Sequence, residues 1–310
     1  MVESSLPAAG RSPASLADSK NLALAALGFS VFIFGGQFVG VRMGVTSSFT
    51  AFDIASLRFI FAGVIMLPVF IRLGWRDCCG LGWGKGIALA ATGGAPMIVT
   101  SNIGLTLAPA LHGTCIQPGS VPIFTALFAA MAMRALPPRP VLLGLPVVFA
   151  GLVILALGGS AQPAQAGAST LAGDIVFLGA GALWAGMTFL GHRWRVQPLV
   201  AAAVIAVLSL AYVPVHLLFL PSKLGTAPVG MILFQGFYQG VLVLILGQLI
   251  WSWGLRRLGA EVTARFSSLT PVAGFLLAIP VLGEWPTVLQ WTGMLVVVLG
   301  LLGVSLLRRR

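Results

Sequence analysis

Apolar stretches recur along the chain from residue 22 almost to the C-terminus, and short polar segments separate them. Each stretch has about 18 or more residues, which is enough to cross a bilayer core of about 30 Å as a helix. The pattern predicts ten spans, with neighbouring spans antiparallel because the connections are short. Numbered in chain order, the spans cover approximately residues 22–46, 53–71, 86–107, 111–133, 140–159, 171–191, 198–219, 229–255, 260–282 and 287–306.

Two polar segments lie outside this pattern. Residues 1–21 are rich in Ser, Ala and Pro and lack the apolar core of a signal peptide, so we expect a disordered cytoplasmic tail. The Ala/Gln/Gly/Pro/Ser segment 160–170 is typical of a linker. It would divide the chain into two units of five spans each, residues 22–159 and 171–310. The predicted fold class is an all-α polytopic membrane protein.

Charge supports this count of spans. Charged residues are 8% of the chain, against about 25% in soluble domains. With ten spans, Lys223 is the only basic residue in the loops opposite the termini, and basic residues favour the cytoplasmic side. Both termini are therefore expected in the cytoplasm. The fourteen basic residues on the side of the termini are Arg11, Lys20, Arg72, Arg76, Lys85, Arg134, Arg139, Arg193, Arg195, Arg256, Arg257, Arg308, Arg309 and Arg310.

The scattered charge forms no patch of the kind that binds nucleic acid. The expected partners are a small-molecule substrate and the lipid bilayer, with no nucleic acid, and we expect a monomer rather than a dimer. The sequence has no spacing typical of paired catalytic carboxylates, a His-Glu-x-x-His zinc site or a phosphate loop. We therefore expect no enzyme activity, no catalytic residues, no metal and no cofactor.

The chain also contains an internal repeat. A shift of 149 residues places spans 4 and 5 on spans 9 and 10, and aligns Pro122 with Pro271 and Gly151 with Gly300. Because each half has an odd number of spans, the second half enters the membrane from the opposite side. Inverted five-helix repeats are a common plan of secondary transporters, which work by alternating access. The shift also aligns Pro137 with Pro286 and Gly144 with Gly293.

Four motifs carry a family resemblance. They are "FGGQFVGVRMG" in span 1, "SLRFIFAG" in span 2, "GDIVFLGAGALWAG" in span 6, and "SLTPVAGFLLAIPVLGEWPTVLQWTGMLVVVLG" at the end. In this order the motifs resemble the drug/metabolite transporter (DMT) superfamily, in particular its EamA-type ten-helix exporters. The chain departs from the family pattern at Phe34, where Trp is common, and at Arg134-Ala135, where Gly-Glu often recurs.

The resemblance implies two EamA-like repeats and an inner-membrane exporter of metabolites or amino acids. YddG-type aromatic amino-acid exporters are the subgroup that it suggests first. Alternatives are a nucleotide-sugar or drug/amine transporter of the same fold and, in another class, a membrane scaffold that transports nothing.

Polar residues inside spans are costly and tend to face the bundle interior. His112, Cys115 and Pro122 share one face of span 4, and Ser268 and Pro271 share the equivalent face of span 9. These faces indicate a cavity wall or, alternatively, tight packing of small residues. For the candidate glutamines Gln37, Gln239 and Gln248, the alternative to substrate binding is a hydrogen bond between helices. The candidate substrate-binding residues are Gln37, Ser101, Asn102, His112, Cys115, Trp184, Tyr238, Gln239, Gln248 and Ser268.

Four residues are candidates for a hinge or gate. Pro122 and Pro271 each remove a backbone hydrogen bond near mid-membrane, which predicts paired bends. Glu261 and Arg265 stand one turn apart at the start of span 9, which indicates an ion pair, a gate or both. Glu284 is expected to cap span 10 or to latch the outer face.

Two arginines, Arg42 and Arg58, lie inside spans. Arg58 is expected to pair with Asp53 or to extend to the interface, and the alternative is capture of a substrate carboxylate. The sequence has seven acidic residues, and by this count none lies at mid-membrane, where proton-coupled carriers commonly use one. The predicted function is therefore a facilitative or weakly coupled exporter of amino acids or similar amphipathic metabolites.

Overall fold

The computed structural model describes residues 13–134, 137, 139–159 and 170–307, and nearly all of that part of the chain is helical. A π-helix, Gly236–Gly247, joins α10 to α11, and short 3-10 turns follow α2 and α8. The α-helices are α1 (Pro13–Ser47), α2 (Ala51–Gly74), α3 (Trp83–Gly93), α4 (Ala95–Leu107), α5 (Ala110–Met133), α6 (Arg139–Leu157), α7 (Thr170–Arg193), α8 (Pro198–Leu208), α9 (Tyr212–Phe219), α10 (Val229–Gln235), α11 (Gln248–Ser267), α12 (Thr270–Leu282) and α13 (Val288–Leu307).

These helices correspond to the ten predicted spans. Eight stretches of the described chain are long and apolar enough to cross a membrane, and the apolar parts of α6 and α13 are shorter. Because α6 has 19 residues and α13 has 20, each is about 30 Å long, which matches a bilayer core. The all-α polytopic fold is confirmed. Span 3 consists of α3 and α4, span 7 of α8 and α9, span 8 of α10, the π-helix and most of α11, and span 9 of the end of α11 with α12.

The predicted disordered tail needs correction. Helix α1 begins at Pro13, so residues 13–21 are helical, while residues 1–12 lie outside the described chain. Pro at a first turn and the Ala- and Leu-rich run that follows are both favourable to a helix. Residues 160–169 of the predicted linker also lie outside the described residues, so the division into two units stays a prediction.

Local sequence sets several helix ends. Thr50 and Asp53 form a capping box at the start of α2, where each side chain accepts the other residue's backbone N–H. Thr287 and Gln290 exchange the same two bonds at the start of α13. Gly94 breaks span 3, and Pro96 follows in the first turn of α4.

The bundle has two ends. Helix α1 begins and α13 ends at one of them, the tail end, and successive spans alternate from there. At the opposite end, the far end, the end of span 1 meets the end of span 3, since Arg42 Nη1 donates to the Leu105 carbonyl at 2.6 Å. The starts of spans 4 and 6 also meet there, through His112 and Asp174. These contacts agree with ten antiparallel spans.

The spans pack as two lobes that exchange helices between the sequence halves. Spans 3, 4 and 6 form one lobe, because α7 packs extensively on α4 and α5. Spans 1, 8 and 9 form the other, because α1 packs extensively on α11 and α12. The equivalents of spans 3, 4 and 6 in the other half of the chain are spans 8, 9 and 1, so the inverted repeat relates one lobe to the other. Spans 2 and 7 pack on each other, and so do spans 5 and 10.

Two close backbone approaches between α6 and α13 follow the internal repeat. A Cβ added at Gly151 would lie 2.7 Å from the Val297 nitrogen, and one added at Gly300 would lie 2.9 Å from the Val148 nitrogen. These two contacts are related by the 149-residue shift. Only glycine allows such a close approach of two backbones, which explains why these aligned glycines occur in both halves.

Candidate substrate cavity

A cavity of about 340 Å³ lies between the two lobes. Spans 1, 8 and 9 line one side, spans 3, 4 and 6 line the other, and residues from spans 2 and 7 complete the wall. The lining reaches Pro198, the first residue of α8 at the tail end. Its polar side chains are Gln37, Arg58, Ser101, Asn102, Gln117, Thr188, Gln248, Ser267 and Thr270, and its aromatic ones are Phe34, Phe38, Trp184 and Trp251.

Five of the ten predicted substrate-binding residues line this cavity: Gln37, Ser101, Asn102, Trp184 and Gln248. They come from spans 1, 3, 6 and 8, so both lobes contribute. Three of them already form side-chain hydrogen bonds within the protein, and Gln37 Oε1 accepts one from Arg58 Nη1 at 3.4 Å. Ser101 donates to Gln117 Oε1 at 2.5 Å, and Asn102 Nδ2 donates to the Ala51 carbonyl at 3.0 Å.

The other five predicted residues lie behind the wall, which corrects their expected place. His112 bonds to Asp174, and Cys115 is fully buried in the apolar core. The hydroxyls of Tyr238 and Ser268 donate to backbone carbonyls, and Gln239 Nε2 donates to the Gln37 carbonyl. Helical periodicity shows which residues share a face, but it does not distinguish a face toward a cavity from one toward a helix.

The two hinge candidates, Pro122 and Pro271, have different positions in their helices. Span 9 breaks at Ser268 and Leu269, and Pro271 stands in the first turn of the helix that follows. Pro122 instead lies inside the continuous α5, together with Pro118, so the two proline positions are not equivalent. Since Ser267 and Thr270 line the cavity, the break in span 9 lies at the cavity wall. Arg265 donates to Glu261 on the same helix, and the gate role of this pair stays a prediction.

Several lining residues were not predicted. Gln117, Thr188 and Trp251 line the cavity and lie in spans 4, 6 and 8, from which other residues were named as candidates. Trp251 packs edge to face on Phe34, with ring centroids 5.8 Å apart. The spacing of Gln117 in span 4, two residues beyond Cys115, places it on a different face from His112.

Arg58 is the charged residue of the cavity lining, and its surroundings differ from both structural expectations. Asp53 instead accepts hydrogen bonds from Ser222 Oγ at 2.7 Å and from the Lys223 N–H at 3.0 Å. The Nη1 of Arg58 lies 3.4 Å from Gln37 Oε1 and 3.3 Å from Gln239 Oε1. Its Nε has no hydrogen-bond partner among the described residues, and the side chain is buried, with the residue only 8% exposed.

At the far end, Arg42 and Glu284 form an ion pair within the lobe of spans 1, 8 and 9, and both side chains bond across to the other lobe. Glu284, which follows span 9, lies 3.5 Å from Nε of Arg42. Its carboxylate also accepts the backbone N–H groups of Ala110 and Leu111 at 3.2 and 3.3 Å, at the start of α5. Glu284 therefore caps span 4 rather than span 10. Burial raises the pKa of Glu284, while the Ala110 N–H, Arg42 and the Leu111 N–H act in the opposite direction.

Two histidine–aspartate contacts extend this closed far end. His112 Nδ1 lies 2.7 Å from Oδ1 of Asp174, and His112 Nε2 lies 3.0 Å from Nε2 of Gln290 in span 10. His216 Nε2 lies 3.4 Å from Oδ1 of Asp53, which ties span 7 to span 2. All of these side chains are buried. The far end is thus closed by buried polar contacts, whereas the cavity extends toward the tail end.

Comparison with known proteins agrees with this architecture. Residues 171–306 match the EamA-like transporter family. The chain is 26% identical over 294 residues to the uncharacterized transporter YyaM of Bacillus subtilis (strain 168), covering 92% of this chain and 93% of that protein. It is 23% identical over 281 residues to an uncharacterized transporter of Archaeoglobus fulgidus, covering 88% and 94% of the two chains.

A solved crystal structure shares the fold, with a TM-score of 0.60 at 19% sequence identity, over 94% of this chain and 98% of that chain. This likeness concerns the fold alone. The second half of the chain thus matches the EamA-like transporter family, and nearly the whole chain is similar to two proteins that are each called an uncharacterized transporter.

Proposed function

We propose that the protein exports small amphipathic metabolites, with amino acids as the first substrate class, across the inner membrane by alternating access. One observation supports this proposal: the cavity between the two lobes reaches the tail end, while hydrogen bonds from Arg42 to span 3 and between Glu284 and the start of α5 close the far end. In alternating access the lobes would separate at the far end as they approach at the tail end.

The orientation follows from charge. Most basic loop residues lie at the tail end, and such residues favour the cytoplasm. The cavity would then load from the cytoplasm, which is the direction required for export. The conformation described here would be the cytoplasm-facing one.

The size and lining of the cavity suit an amino acid. A volume of about 340 Å³ lies at the lower end of ligand pockets, about 300–1,000 Å³. Aromatic faces of Phe34, Trp184 and Trp251 can contact an apolar side chain or an ammonium group, and the amide of Gln248 can donate and accept hydrogen bonds. An aromatic amino acid of the YddG-type substrate class combines these features.

The proposed transport is facilitative or weakly coupled. Asp53, Asp174 and Glu284 lie at the far end, each engaged by other protein groups, rather than in the cavity lining. The pair formed by Glu261 and Arg265 also lies outside the lining. Proton flux locked in a fixed ratio to substrate flux would contradict this part of the proposal.

Counterflow in liposomes containing only this protein tests the function. Labelled L-phenylalanine should accumulate when unlabelled phenylalanine is present on the other side, which distinguishes a carrier from a channel or a scaffold. Ala201 lines the cavity on α8, so Ala201→Trp should abolish counterflow by filling the space. Leu199, on the same helix, is 38% exposed and outside the lining, so Leu199→Trp is the matched control. Absence of counterflow with every aromatic and branched amino acid would overturn the substrate class.

A further inference from the structure

We propose that Arg58 is the anchor for an anionic group of the substrate, so that a carboxylate on the transported molecule is required for tight binding. This inference rests on the proposed function, because it assigns the chemistry of the same cavity. It selects one partner chemistry, a monoanionic carboxylate attached to an apolar body.

Arg58 lacks an acidic counter-ion among the described residues. A buried charge is costly unless another charge or good hydrogen bonds compensate it. Arg42 has Glu284, and Arg265 has Glu261. Within the described chain Arg58 has no ion pair, although the residue is only 8% exposed.

The described residues also leave hydrogen-bond donors of Arg58 unused. Arg58 has five N–H donors, and only carboxylates and similar oxyanions match its planar fork with two parallel bonds. Its Nη1 contacts two neutral amide oxygens, of Gln37 and Gln239, at the long distances of 3.4 and 3.3 Å. Its buried Nε remains without a partner among the described residues. The protein holds the guanidinium in place but leaves part of its donor capacity unused.

The position of Arg58 in the cavity wall allows contact with a ligand. Arg58 lines the cavity, whereas the lining residues Ser101, Asn102 and Gln117 already bond to protein atoms. The lining also includes the apolar residues Phe38, Met97 and Leu105. A ligand that places its carboxylate on Arg58 can therefore bury an apolar group against the rest of the wall. Gln37 and Gln239 act as positioning residues, because both amide oxygens orient the guanidinium.

The test uses four probes that share a phenyl ring and differ in charge. L-phenylalanine and 3-phenylpropionate carry a carboxylate, whereas phenethylamine and L-phenylalaninamide do not. Binding to the full chain in detergent is followed through the fluorescence of Trp184 and Trp251, both in the cavity lining. Both carboxylates should bind at least about tenfold more tightly than the two amines, since a hydrogen bond to a charged group contributes about a tenfold factor or more.

Two substitutions then assign this preference to Arg58. Arg58→Gln should weaken binding of the carboxylates by about tenfold or more and leave phenethylamine unchanged, and Arg58→Lys should fall between, since it keeps the charge but loses the fork. Arg72→Gln, an exposed arginine in the last turn of the same helix, is the matched control and should bind as the unchanged chain does. Size-exclusion retention and the melting temperature show whether each variant folds. The comparison of the four probes on the unsubstituted protein does not depend on any variant.

The outcomes separate this inference from the proposed function. Binding that favours carboxylates through Arg58, without counterflow, supports the anchor and overturns the transport proposal. Counterflow of phenethylamine as fast as that of phenylalanine, or a carboxylate preference that persists in Arg58→Gln, overturns the anchor and leaves transport standing. Failure of all four probes to bind overturns both.

Discussion

At the residue scale, the buried charges divide into those that hold the protein together and one that faces the cavity. Arg42 and Glu284 close the far end, because their contact joins span 1 and the loop after span 9 to the start of α5. Arg58 lies on the cavity wall without an acidic partner in the described chain. The two arginines look alike in sequence, since each lies in an apolar span.

Removing the carboxylate of Glu284 should destabilise the far end. Glu284→Ala leaves Arg42 without its counter-ion and the N–H groups of Ala110 and Leu111 without an acceptor, which should cost roughly 3 kcal/mol. The melting temperature in detergent measures this loss. Trp285→Ala, at the exposed neighbouring residue, is the control and should change little.

A double substitution sharpens this prediction. Combining Glu284→Ala with Arg42→Met should cost less than the sum of the two single changes, because it removes both charges together. Additive losses would show that the two side chains do not interact in the folded protein.

At the element scale, packing between helices relies on glycine where two backbones approach closely. The paired glycines Gly151 and Gly300 hold α6 against α13, in contacts that the repeat relates to each other. Gly35 plays a similar part between spans 1 and 9, since a Cβ there would lie 2.7 Å from the Gly274 nitrogen. These contacts fix the spacing of spans around the cavity.

The two paired glycines should respond alike to substitution. Gly151→Val and Gly300→Val each place side-chain atoms where backbone now lies, which should cost about 1–3 kcal/mol. Gly303→Val is the matched control on α13, because an added Cβ there meets nothing within 4 Å. Thermal unfolding of the three variants provides the measurement, and equal stability of all three would refute the proposed close packing.

The break in span 9 is the second feature at this scale. Pro271→Ala allows α12 to extend backward across Ser268 and Leu269, so counterflow should slow several-fold while membrane insertion is unchanged. Pro122→Ala should have a smaller effect, because Pro122 lies inside a helix that is already continuous. Counterflow rates in liposomes test both changes, and an unaltered rate for Pro271→Ala would leave the break as a feature of packing alone.

At the scale of the whole molecule, the lobes differ from the halves of the sequence. The ten spans, their order and the repeat follow from hydrophobic pattern, loop charge and aligned glycines, all of which are local in sequence. The exchange of span 1 with span 6 between lobes depends on long-range packing, which the pattern does not encode. For the same reason the sequence indicated Gln37, Ser101 and Trp184 for the cavity but also the buried His112 and Cys115.

Orientation in the membrane is a prediction at this scale. In a chain with its three cysteines replaced by serine, Gly225→Cys in the far-end loop should react with a membrane-impermeant thiol reagent in intact cells. Gly84→Cys at the tail end should react only after the cells are opened, because basic residues place that end in the cytoplasm. An added side chain meets nothing within 4 Å at either site, so both cysteines are free to react. The reverse pattern would show that the cavity opens to the outside.

In alternating access the cavity opens at one end only when it closes at the other. Spin labels at Ser47 and Leu171 report the far-end distance between the lobes, and labels at His192 and Arg256 report the tail-end distance; all four residues are exposed. In liposomes, adding L-phenylalanine should lengthen the far-end distance in a fraction of the molecules. The tail-end distance should shorten in an equal fraction. A simultaneous increase of both distances, or no change in either while phenylalanine is transported, would contradict alternating access.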